Sequence, residues 1–172
     1  MAAGFALVTR FAISEIDSII ISFAILFLIV FVGVFFDTLG TAVTAADEKP
    51  FHSKAAKKLY GARRGIFLVR HADQVANFCN DVVGDISGVV SGVIGAVIII
   101  NLVAFYGDSL GLGELLLSVL LTGLISALTV GGKAIGKNLA ITRSTEVVWW
   151  LARVVTTLEK LYFWKNRGKS QG

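Results

Sequence analysis

The chain has 172 residues, a length that suits one domain, yet 55% are hydrophobic, only 16% are charged, and 18 are glycine against a single proline. Soluble domains carry about a quarter charged residues, so this composition excludes a disordered chain, a nucleic-acid-binding domain and a disulfide scaffold. The mean hydropathy of +0.78 points to an integral membrane protein, in which the net charge of +4 reports topology rather than a nucleic-acid partner.

Arg10 alone precedes the first apolar run, and no clean small-residue cleavage site follows it, so no signal peptide is expected. The first span, about 17–36, contains nineteen uncharged residues from Ser18 to Phe36. It is expected to continue as a broken extension over 37–46, small and partly polar. A linker over 47–80 follows, in which Asp47-Glu48-Lys49-Pro50 reads as a turn. Beyond the turn, Lys54–Tyr60 and Gly65–Phe78 have helical periodicity. The second span, about 82–107, holds twenty-two uncharged residues from Ile86 to Gly107, and the third, about 112–132, holds eighteen from Leu115 to Gly132. At about 1.5 Å per residue each run can cross a hydrocarbon core of roughly 30 Å. Helices are the spanning form, because lipid leaves no water to satisfy open backbone groups. From 144 to 165 a further helix carries Trp149, Trp150 and Trp164 beside a narrow stripe of Arg153, Thr157 and Lys160, the pattern of an amphipathic helix lying in the interface. As a fourth span it would bury Arg153 and Glu159 in lipid.

The fold class expected is therefore an all-α integral membrane protein with three transmembrane helices and an interfacial C-terminal amphipathic helix, forming a single membrane domain over 1–172. Lys and Arg set its orientation: one before span one, seven between spans one and two, none between spans two and three, and eight from Lys133 onward. Positive-inside places the N-terminus outside and the C-terminus in the cytoplasm of a multi-pass plasma-membrane protein. The basic linker suits contact with anionic membrane lipid.

Enzyme motifs are absent: His52 and His71 stand alone, and no nucleophile-elbow, zinc or phosphate-loop pattern occurs. Cys79 has no partner cysteine and reads as a small apolar filler. The informative residues are polar groups at the ends of the spans. Asp37, Thr41 and Thr44 fall at i, i+4 and i+7, so one helical face carries a carboxylate and two hydroxyls. Asn77, Asp81 and Asp85 fall at i, i+4 and i+8, with Asn80 alongside. Such hard oxygen donors suit Mg²⁺, Ca²⁺ or Na⁺, with no certain resident cofactor. Helix capping and solvated acids are the plainer account of the same residues. Gly84, Gly88 and Gly92, at successive i+4 steps, form a small-residue stripe for helix packing within the chain or between copies.

Three segments, in order, resemble a known family. Phe35-Phe36-Asp37-Thr38-Leu39-Gly40-Thr41-Ala42-Val43, Cys79-Asn80-Asp81-Val82-Val83-Gly84 and Gly132-Lys133-Ala134-Ile135-Gly136-Lys137-Asn138-Leu139-Ala140 are similar to the three helix-end motifs of the CorB/CorC and cyclin M magnesium-transporter membrane domain. The resemblance implies a homodimer of three-helix protomers with an interrupted first helix. It also implies a metal site, here Asp37, Thr41, Asn80, Asp81 and Asp85, worked by alternating access. Asp37 stands for the family's Ser, Gly40 for its Glu, Gly84 for its second Asn, Lys133 for its later Glu and Gly136 for its Pro. The chain, ending at Gly172, is expected to lack the family's CBS domains. Lys133, where the pattern holds an acid, is expected either to act as a built-in cation for the site or to snorkel to the surface. With the resemblance, the functional expectation is divalent, magnesium-like cation transport or binding, with Mg²⁺ or Na⁺ as the expected transported ion. The alternative is a non-transporting membrane partner or regulatory subunit of another transporter.

Overall fold

The computed structural model describes residues 19–106 and 112–167, all built from helices and turns with no strand among them. Arg10 and the second connection around Asp108, which carry part of the orientation argument, lie outside the described residues. In chain order the elements are α1 (Ile19–Ala45), α2 (Lys49–Ala56), α3 (Ala62–Arg70), α4 (Ala72–Asn77), a π-helical segment (Phe78–Gly84), α5 (Asp85–Tyr106), α6 (Leu112–Thr142) and α7 (Ser144–Arg167). Three stretches, Ile20–Ala45, Ala72–Val103 and Ser118–Thr142, are long and apolar enough to cross a bilayer.

Several elements depart from the sequence expectation for identifiable reasons. Helix α1 runs unbroken through Asp37 to Ala45. The Thr41 hydroxyl donates to the Asp37 carbonyl at 2.9 Å, and Thr44 donates to the Thr41 carbonyl at 2.9 Å. These polar side chains satisfy themselves on their own helix instead of breaking it. Pro50 does not make a turn. It sits in the first turn of α2, where its missing N–H leaves no bond unmade. The helix then ends early, because the N–H of Leu59 reaches the Lys54 carbonyl (3.1 Å) and that of Lys58 reaches Ala55 (2.9 Å). This is the Schellman closure, with Lys58 in the left-handed conformation at φ 53°. Helix α6 likewise continues past Gly132 and Gly136 to Thr142.

The chain divides into two compact units. The first comprises the described residues up to Phe36 together with Asp81–Gly136; the second comprises Asp37–Asn80 together with the described residues from Lys137 onward. In the first, Leu26, Ile94 and Ile98 form the buried centre, flanked by Phe23, Val30, Val90 and Ile125. Much of the remaining apolar surface points outward, including Phe31, Ile100, Leu115, Leu120 and Val130. Close helix approach occurs at glycines outside the predicted stripe. A Cβ on Gly33 would lie 2.9 Å from Ser87 Cβ, and one on Gly132 would lie 3.1 Å from Val34 Cγ2. Gly84 is buried, but a Cβ on Gly88 or Gly92 would meet nothing within 4 Å, so no described part of this chain packs there.

The second unit has its own core of Ala42, Val43, Phe51, Leu68, Ala140, Val148 and Ala152. Phe51, fully buried, lies against Gly65, which has no side chain to displace it. Helix α3 packs on both α2 and α7. Across its contact with α7, Arg64 forms a two-pronged ion pair with Glu159, the Nε bond measuring 2.7 Å.

Candidate cation site

Asp37, Thr41 and Asn80 all belong to the second unit. Asp37 is carried inside by the unbroken α1 and is only 6% exposed. Its Oδ2 accepts no hydrogen bond. The nearest cation is Lys137 Nζ at 3.7 Å, beyond hydrogen-bond length, on a side chain 52% exposed. Asn80 Oδ1 is the other buried acceptor without a partner among the described residues. It lies on the Cα of Gly40: a Cβ there would fall onto Asn80 Oδ1 and within 2.9 Å of its Cγ. Asp37 and Gly40 are three apart on one helix and share a face, so the two unsatisfied oxygens flank the same turn of α1. Thr41 stands on the next turn, its hydroxyl donating to the Asp37 main-chain carbonyl at 2.9 Å.

The π-helical segment explains the placing of Asn80. Its widened i→i+5 turns offset the chain before α5, and such segments frequently mark functional positions. Asp81 and Asp85 belong to the first unit and are exposed, Asp81 within the π segment and Asp85 in the first turn of α5. Lys133, also in the first unit, is half-buried and makes no ion pair among the described residues. The lysine that meets Asp37 is Lys137, one helical turn later. Among the described residues no three His, Cys, Asp or Glu side chains gather closely enough to hold a metal by themselves. Asp37, Asn80 and Thr41 offer one carboxylate, one amide oxygen and one hydroxyl along this stretch of α1.

Sequence spacing pointed to Asp37, Thr41 and Asn80, but not to Gly40, Lys137 or the π segment. Gly40 and Lys137 both lay inside the motifs that carried the resemblance. Their part in the site depends on a tertiary approach that no one-dimensional period encodes. No protein-family model, curated protein or solved structure matches this chain.

Proposed function

We propose that this chain is a multi-pass membrane protein that binds a divalent, magnesium-like cation at Asp37, Thr41 and Asn80 and moves it across the membrane. The observation that carries the reading is the pair of buried oxygens, Asp37 Oδ2 and Asn80 Oδ1, left without hydrogen bonds. Buried polar atoms are nearly always satisfied, so an unsatisfied pair that includes a carboxylate oxygen calls for a positive occupant. Mg²⁺ keeps several of its own waters and takes only one or two carboxylates, which is the donor set here. The outward apolar surface of the first unit supports insertion in lipid, since soluble proteins rarely expose so much. The Lys and Arg counts support an N-out, C-in arrangement in the plasma membrane. The open face at Gly88 and Gly92 suits a second copy.

A second reading, a non-transporting partner of another transporter, is favoured by Lys137, whose ammonium already stands near the carboxylate. Reconstitution separates the two. Purified chain in liposomes should give Mg²⁺ flux that Asp37→Asn abolishes. Absence of flux together with absence of Mg²⁺ binding would reject the transport reading.

A further inference from the structure

Away from the cation site, the second unit contains a cavity of about 410 Å³ where the α2–α3 turn meets α7. This is within the size range of small-molecule sites. Its walls include Lys58, Tyr60, Arg63, Arg64, Thr156 and Lys160. Of these four cations only Arg64 has an acid partner among the described residues, Glu159. The cavity therefore keeps an uncompensated positive charge.

Lys58 sharpens the argument. It occupies the left-handed position that closes α2, where glycine is the unstrained choice. A lysine held there at a conformational cost places an ammonium at the rim of a cavity that has no matching acid.

A second cavity, of about 430 Å³, shares Tyr60 with the first; Trp150, Val154 and Leu158 form its apolar wall, with Thr157 and Arg153 beside them. Trp150 is 51% exposed and Leu158 60% exposed. Tyr60 is a fixed partition between the two. Its ring lies 4.4 Å from the Lys160 ammonium, and its hydroxyl lies 3.3 Å from Thr157 Oγ1.

From this juxtaposition, a cavity with three basic side chains that have no acid partner among the described residues beside a groove walled by Trp150, Val154 and Leu158, we propose that the second unit binds an anionic phospholipid, its phosphate among Lys58, Arg63 and Lys160 and the start of its acyl chain along Trp150 and Leu158. Free phosphate would use only the first cavity. A zwitterionic lipid would bring a choline group into an already positive site. None of these residues belongs to the cation site, so the result is independent of whether the chain transports.

The test uses the purified full chain in mild detergent, titrated with dioctanoyl phosphatidylglycerol, dioctanoyl phosphatidylcholine or inorganic phosphate, with bound ligand counted by native mass spectrometry. Phosphatidylglycerol should bind at least tenfold more tightly than phosphatidylcholine. Each basic residue near an anionic lipid contributes about fivefold in affinity, so Lys58→Gly and Lys160→Gln should each weaken phosphatidylglycerol about fivefold. Lys58→Gly puts glycine where the backbone favours it, so this variant keeps the fold while losing the charge. Leu158→Ser should weaken the lipid and leave inorganic phosphate unchanged. Equal binding of the two lipids, or no effect of Lys58→Gly, would overturn the proposal. So would inorganic phosphate binding as tightly as phosphatidylglycerol with no response to Leu158→Ser, which would make the site one for the free anion.

Discussion

Replacing Lys137 by methionine tests the proposed cation site directly. At 3.7 Å the bare attraction between a carboxylate and an ammonium is about 4 kcal/mol for an effective dielectric constant of about 20. Half of the Lys137 side chain is in solvent, and exposed pairs retain only about 0.2–1 kcal/mol after screening and side-chain ordering. Asp37 is buried, so the upper end applies, about 1 kcal/mol, or roughly fivefold in a binding constant. A solution cation that takes up Asp37 Oδ2 must displace that ammonium. Lys137→Met should therefore raise Mg²⁺ affinity about fivefold by calorimetry, whereas Lys137→Arg should stay near wild type. The same variant, without Mg²⁺, should melt earlier in detergent, because the buried carboxylate loses its partner. Millimolar Mg²⁺ should restore the melting temperature by mass action. Asp37→Asn should abolish both effects. An affinity that is unchanged or lower in Lys137→Met would refute the idea that lysine and metal share one carboxylate.

Three other outcomes follow from the same geometry. Glu48 accepts hydrogen bonds from Arg70 at 2.6 Å and from His52 at 2.8 Å, and these two contacts, Arg70 first, hold its pKa below its ordinary value. Its folded pKa being depressed, the contribution is complete above the ordinary glutamate pKa and is lost as pH falls through the folded one; thermal melts should show an acid-side loss that Glu48→Gln flattens, and identical acid limbs would contradict it. Phe51→Ala should destabilise the second unit by about 3–5 kcal/mol, and Gly65→Ala, whose Cβ would press on the Phe51 ring, by about 1–3 kcal/mol, both read from unfolding curves in detergent. Gly88→Leu should leave the melting temperature of the isolated chain unchanged but lower the cross-linked dimer fraction, and an unaltered dimer fraction would turn that face toward lipid.

The apolar stretches were legible in sequence because a run of uncharged residues long enough to cross a bilayer has few other uses. Boundaries were less legible. Proline at position 50 reads as a turn until its place in the first turn of α2 is known, and the third span reads as ending at Gly132, whereas α6 runs on to Thr142. Asp37, Thr41 and Asn80 stand out in the sequence because oxygen donors beside an apolar run are costly unless paired. Gly40 and Lys137 do not, since the first acts by what it lacks and the second by a neighbour a hundred positions away. The glycine stripe shows the same limit. Period four identified Gly88 and Gly92, but within the first unit the closest intrachain approaches fall at Gly33 and Gly132, where a facing helix chooses its own contact points.

The second unit is assembled from two pieces of chain, with Arg64 and Glu159 separated by 95 positions. A ribosome adding about 5–20 residues per second needs about 5–20 s to cover that interval. During this time Phe51 and Leu68 have emerged, while Ala140, Val148 and Ala152, which complete their core, do not yet exist. The amphipathic helices α2 and α3 must wait with their apolar sides uncovered until α5 and α6 have been made. A nascent chain at this stage exposes a sticky, positively charged surface, so it should be most vulnerable to proteolysis and aggregation before α7 appears. Truncations ending after α6 should be degraded rapidly for the same reason, whatever the fate of the first unit.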